Sequence, residues 1–215
     1  MIYKWLHQHN NANKVIVFFS GWGFGSEAVN HLTTEKDSDV LFVYDYSDIT
    51  TKLPNLERYS QCSIIAWSFG VGNYSLWQND NHDPFSLKIA INGTMPTIHK
   101  TMGIPEKVVK HTIKTLTAES HQEFIHRCLN TKLDSSINDY LITDINQLKN
   151  ELILIKQRDY TKIKSLQWDH VWISKNDRIF SSKNLCLAWK NNKVNEINGP
   201  HAPFASWSNW QQLLV

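Results

Sequence analysis

Ala66-Trp67-Ser68-Phe69-Gly70 places a serine at the end of an apolar run, with the smallest side chains two positions to either side. Small flanks permit the sharp strand-to-helix turn that presents a serine hydroxyl as a nucleophile. Glycine is usual at both flanks, and Ala66 is the smallest departure from it. A hydroxyl is inert without a base to take its proton and a third group to orient that base. Asp177, in Ile173-Ser174-Lys175-Asn176-Asp177-Arg178-Ile179-Phe180, and His201, in Asn198-Gly199-Pro200-His201-Ala202-Pro203, supply both. Each follows a predicted strand, and the order Ser, Asp, His is the one this type of elbow uses. Taken singly, Ser68 reads as a helix cap, Asp177 as a turn residue and His201 as a loop histidine. Asp45, which ends an earlier strand, is the reserve acid. His170 opens a strand, which makes it the weaker base.

Acyl transfer also needs donors where the tetrahedral oxyanion forms, each worth about 2.7–4 kcal/mol of transition-state stabilisation. Two backbone amides are placed for this. One is Phe69, just after the serine; the other is Trp22, in Ser20-Gly21-Trp22-Gly23-Phe24-Gly25. That glycine-rich run matches neither a GxGxxG nor a Walker phosphate loop.

The elements that must position these groups alternate. Apolar runs at residues 15–19, 40–44, 62–67 and 87–91 read as strands buried on both faces. Between them, Ser26 caps a short helix through Leu32, Pro54 opens a turn of helix, and residues 69–78 run as a helix after Ser68. Residues 105–116, 120–129 and 136–157 read as helices with no strand among them. The rhythm then resumes with strands at 170–174 and 193–197, a helix at 182–189 and a last helix at 203–214. The fold class is α/β: a mostly parallel twisted sheet with helices on both faces. Residues 1–95 and 166–215 form the core, and residues 96–165 form a helical insertion placed to act as a lid.

The chain has 215 residues with 22 Lys+Arg against 20 Asp+Glu, so its net charge of +2 gives no case for a nucleic-acid or membrane-surface protein. Cys62, Cys128 and Cys186 form no CxxC pair; buried thiols in a reducing compartment are expected. Neither a signal peptide nor an apolar run of about 18 residues is visible, which points to the cytoplasm. Nine tryptophans stand out, and most are expected in the core.

The sequence resembles the short α/β-hydrolases of the BioG type, pimeloyl-acyl-carrier-protein methyl ester esterases of biotin synthesis. The resemblance rests on Phe19-Ser20-Gly21-Trp22-Gly23, Ala28-Val29-Asn30-His31-Leu32, Tyr44-Asp45-Tyr46, Ala66-Trp67-Ser68-Phe69-Gly70-Val71, Asn92-Gly93-Thr94, Gly103-Ile104-Pro105, the Asp177-Arg178-Ile179-Phe180 block and His201. It implies an α/β-hydrolase fold, Ser68 as nucleophile, His201 as base, Asp177 as orienting acid, and Trp22 and Phe69 as oxyanion donors. The implied reaction uses no metal or organic cofactor. Longer relatives carry His and Gly where this chain has Ser20 and Ala66.

The implied partner is an acidic acyl carrier protein, and a monomer is expected. Lys100, Lys107, Lys110, Lys114, Arg127 and Lys132 gather in the first half of the insertion. Lys107, Lys110 and Lys114 fall on one helix face, which otherwise reads as a solvated face. With the resemblance, Lys107, Lys110, Lys114 and Arg127 become candidates for docking the carrier. A general short-chain carboxylesterase or thioesterase and a non-catalytic hydrolase-like binding protein remain alternatives.

Overall fold

Among the described residues, seven strands form one sheet in the order β1-β3-β2-β4-β5-β6-β7. They are β1 (Ile2–His7), β2 (Lys14–Phe19), β3 (Ser38–Tyr44), β4 (Gln61–Trp67), β5 (Leu87–Ile91), β6 (His170–Ser174) and β7 (Val194–Ile197). The helices are α1 (Phe69–Asn79), α2 (Glu106–Thr115), α3 (Ala118–Leu129), α4 (Ile145–Gln157) and α5 (Ser182–Ala188). The computed structural model describes residues 1–130, 142, 144–161, 163 and 166–214. Lys132 and the predicted helical residues 136–141 and 143 lie outside them; residues 142 and 144 are described but not helical, because Asp144 caps α4 from extended geometry and the helix begins at Ile145.

All strand pairs are parallel except β1, which runs antiparallel to β3 at the sheet edge. The continuous apolar runs follow from burial on both faces. Along β2, Val15, Val17 and Phe19 point into one core layer, with Tyr74 and Trp77 of α1 and Leu148 and Leu152 of α4. Ile16 and Phe18 point into the other, with Phe24, Leu32, Phe204 and Trp210. Phe18 alone meets Phe42, Phe204 and Trp210 with centroids 5.4–5.8 Å apart. Truncating an aromatic so placed costs about 3–5 kcal/mol.

Several predicted details change. The last segment is not one helix but two 3₁₀ turns, Phe204–Ser206 and Trp210–Leu214. Pro54 opens no helix; Asn55 Oδ1 accepts from the Glu57 amide at 2.7 Å and makes a side-chain turn there instead. The helix from Ser26 stops at Ala28, because Val29 leaves helical geometry at φ −127° and ψ −1°. Cys62 and Cys128 are buried as expected, but Cys186 is exposed on α5. Strand β1 was not foreseen.

Helices α2, α3 and α4 lie between β5 and β6 in the chain. Thr117 and Ser120 cap α3 reciprocally, so it begins at Ala118, earlier than Ser120 alone suggests. Among the described residues no helix is long and apolar enough to cross a membrane.

Candidate active site

Parallel strands end on one side of a sheet, and the register sets Trp67 beside Ile91, Ile91 beside Trp172 and Ser174 beside Ile197. The segments that follow β4, β5, β6 and β7 therefore converge on one edge, where α/β sheets bind ligands. Ser68 follows β4 directly. Its backbone is strained into the left-handed half of conformational space at φ 58°, ψ −125°, a cost that persists only where the surroundings impose it. Gly70 allows the turn: a Cβ there would stand 2.2 Å from the Phe19 carbonyl oxygen. Ala66, at the other flank, is fully buried between β2 and β5.

Asp177 and His201 arrive from the loops after β6 and β7. His201 Nε2 is 2.9 Å from Ser68 Oγ, and Nδ1 is 2.8 Å from Asp177 Oδ2. Asp177 Oδ1 accepts from the amides of Ile179 and Phe180 at 2.7 and 2.9 Å. The Asp177 and His201 side chains are 0% and 1% exposed, so their attraction is little screened by solvent. With Nδ1–H donated to the carboxylate, Nε2 carries the lone pair that accepts the serine proton.

The His201 main chain is also held. Trp67 Nε1 and Asn92 Nδ2 both donate to its carbonyl at 2.8 Å. Asn92 further donates to Ser174 Oγ and accepts from the Ser174 amide, each at 2.7 Å. The sequence did not reveal this role. Its one visible trace is an asparagine ending a buried strand, a type that tolerates the positive φ of 46° found there.

Asp45 is not part of this arrangement. Its Oδ1 accepts from the Ser47 amide and its Oδ2 from Gln147 Nε2. His170 starts β6 and pairs with Ile89, at the opposite end of the strand from Ser174.

Trp22 and Phe69 line one cavity of about 290 Å³ together with Ile104, Phe124, Leu152 and Ile179, with His111, Arg127 and Arg178 also at its wall. This is an apolar sleeve that reaches Phe69, the neighbour of Ser68, with the guanidinium groups of Arg127 and Arg178 along it. The lysines do not join Arg127 there. Lys100 and Lys107 line a separate groove with His99, Lys156 and Arg158, while Lys110 pairs with Glu106 at 2.9 Å. Lys114 also lies on α2, and Arg127 is on α3.

One buried charge was missed. Glu151, on α4, accepts from the Tyr46 amide at 2.9 Å. Burial pushes its carboxyl up to about 7, reinforced by Asp45 and opposed by the Tyr46 amide and Arg158. Arg158 in turn donates to Asn73 Oδ1 and to the Tyr46 carbonyl. A signal existed: Glu151 interrupts the Leu148, Leu152, Ile155 stripe of α4, on the face that must be buried.

The family model described as Pimeloyl-ACP methyl esterase BioG matches residues 3–213. The chain belongs to the pimeloyl-ACP methyl esterase BioG family. It is thus a carboxylic ester hydrolase with the α/β-hydrolase fold. Among BioG relatives of known structure, the crystal structure of SeMet-BioG from Haemophilus influenzae has a TM-score of 0.88 at 27% identity, covering 100% of both chains. An uncharacterized protein of Haemophilus influenzae is 31% identical over 184 residues, 81% of each chain. A malonyl-[acyl-carrier protein] O-methyltransferase of Bacteroides fragilis is 29% identical over 183 residues, 82% of this chain but 36% of that protein. The esterase of Exiguobacterium antarcticum shares the fold at a TM-score of 0.72 and 12% identity, over 95% of this chain and 89% of that one.

Proposed function

We propose that Ser68, His201 and Asp177 carry out the reaction of the BioG family, hydrolysis of the methyl ester of pimeloyl-acyl-carrier protein to the free acid and methanol in biotin synthesis. The observation that supports this reading is the continuous chain from Asp177 Oδ2 through His201 to Ser68 Oγ, at 2.8 and 2.9 Å.

Ser68 Oγ attacks the ester carbonyl as its proton passes to His201 Nε2, and Asp177 stabilises the imidazolium without taking a proton. The amides of Trp22 and Phe69 receive the oxyanion. Phe69 is the first residue of α1, where helical geometry leaves amides without an intrahelical acceptor. Collapse of the tetrahedral adduct breaks the bond to the methoxy group, which leaves as methanol with the proton from Nε2. Water then enters; Nε2 takes its proton, its oxygen attacks the acyl-enzyme, and Ser68 leaves with that proton restored. The apolar sleeve from Trp22 to Leu152 fits the methylene chain of the pimeloyl group, and α2, α3 and α4 wall it as a lid.

The carrier protein docks on the insertion, where Lys107, Lys110, Lys114 and Arg127 complement its acidic surface. The enzyme acts as a cytoplasmic monomer. The decisive experiment is turnover of carrier-linked pimeloyl methyl ester beside labelling of Ser68 by a fluorophosphonate. Turnover and labelling lost together in Ser68→Ala support the reading, and unchanged turnover in that variant ends it. Equal kcat/KM for small p-nitrophenyl esters and the carrier-linked ester would favour a general esterase.

A further inference from the structure

The insertion also touches the Trp22 loop, through a side chain that the mechanism above leaves unused. His121, on α3, is fully buried, and its Nε2 lies 2.9 Å from the Gly23 carbonyl oxygen. A carbonyl can only accept, so Nε2 must carry the proton. Nδ1 is then the bare nitrogen, and it has no hydrogen-bond partner among the described residues. Burial supports this neutral form by lowering the imidazole pKa against the raising effect of the Gly23 carbonyl.

The fit around this bond is close. Gly23 has φ +80°, and a Cβ there would stand 3.2 Å from His121 Nε2 and 3.3 Å from Phe124. Phe124 lies over His121, with planes 18° from parallel, and meets the Trp22 indole edge-on at 5.2 Å. The indole Nε1 donates to the Leu148 carbonyl on α4 at 3.0 Å. Upstream, the core holds the loop: the Ser20 amide donates to Val43 O at 2.9 Å, and Tyr46 Oη donates to Ser20 O at 2.7 Å. The stretch from Ser20 to Gly23 is thus tied by the core where it enters and by two insertion helices where it leaves.

We infer that His121 is a positioning residue for ester hydrolysis: as the Nε2–H tautomer it fixes the Gly23 peptide and so aims the Trp22 amide at the forming oxyanion. This rests on the proposed role of the Trp22 amide. An oxyanion donor must stand about 2.7–3.1 Å from where the charge develops, so a loosened loop costs the transition state and spares substrate binding.

The test compares wild type, His121→Leu, His121→Gln and Ser68→Ala, each confirmed folded by circular dichroism, on a small p-nitrophenyl ester and on the carrier-linked methyl ester. Because removing a whole donor costs about 10²–10³-fold, His121→Leu should lower kcat about 10–100-fold with KM little changed. Glutamine carries an N–H of similar reach, so His121→Gln should recover most of the loss. A wild-type kcat in His121→Leu, a loss seated in KM, or no recovery in His121→Gln would overturn the inference. Nitrogen-15 shifts of His121 in the wild-type protein decide it even if His121→Leu fails to fold: Nε2–H at neutral pH is expected, and the Nδ1–H tautomer would overturn it. Activity surviving in Ser68→Ala would instead defeat the catalytic reading, a separate failure.

Discussion

Phe180 serves both members of the buried Asp177–His201 hydrogen-bonded pair: its ring lies over the His201 imidazole, centroids 5.8 Å apart and planes 11° from parallel, and its amide donates to Asp177 Oδ1 at 2.9 Å. Phe180 thus bears on the tilt of the imidazole and, together with the Ile179 amide, on the direction of the carboxylate. Phe180→Ala keeps the amide but removes a fully buried ring, and should cost about 3–5 kcal/mol of stability. The fall in kcat at temperatures where the variant remains folded should exceed any change in KM. Denaturant titration beside steady-state kinetics checks both, and an unchanged kcat would show the ring to be packing alone.

Ser68→Ala and His201→Ala should each abolish nearly all turnover, and the double variant should lose little more than either single one, since a hydrogen-bonded triad works as a unit. Losses that multiply would separate the two residues mechanistically.

Asp177→Asn is expected to reduce kcat about 10⁴-fold, the scale of a wrong imidazole tautomer. The two amides on Oδ1 make the substitution severe: an asparagine must turn its NH₂ either toward them or toward His201 Nδ1. A pH–rate profile would show a low plateau without recovery at high pH. Near wild-type activity would leave the carboxylate without the orienting role.

Glu151 should make stability fall with rising pH. Its folded pKa of about 7 lies above the ordinary 4.5, so the folded state binds the proton more tightly. That stabilisation is complete below about pH 4.5 and is lost as pH rises through about 7. The linkage amounts to about 3 kcal/mol. Glu151→Gln keeps an acceptor for the Tyr46 amide and should flatten the decline in Tm between pH 5.5 and 8. An equal decline in both proteins would place the titrating group elsewhere.

Reversing charge at Lys107 and Lys114 should lower kcat/KM for the carrier-linked ester and leave a small ester nearly unaffected, with the difference shrinking as salt is added. Lys110 is the weaker probe because Glu106 already engages it. Equal salt responses for the two substrates would remove docking from this helix.

The sheet interior was readable because strands covered on both faces cannot hide: residues 87–91 and 170–174 are strands to the residue. β1 escaped because an edge strand needs no continuous apolar run, and Ile2 and Tyr3 are exposed. At the C-terminus, Phe204, Trp207, Trp210 and Leu213 recur every third residue. That period fits 3₁₀ turns better than one α-helix over residues 203–214. The meeting of Ser68, Asp177 and His201 was legible because each follows a strand. The contacts of Asn92 with His201, of the Phe180 ring with His201 and of His121 with Gly23 were not, since each joins residues distant in the chain.

The indole of Trp67 grips the carbonyl of His201, and Trp67 is the residue bonded to Ser68. Ser68 and His201 therefore share one anchor. A displacement of β4 would carry the Ser68 hydroxyl and the His201 main chain in the same direction, which favours keeping Ser68 Oγ and His201 Nε2 at their 2.9 Å separation.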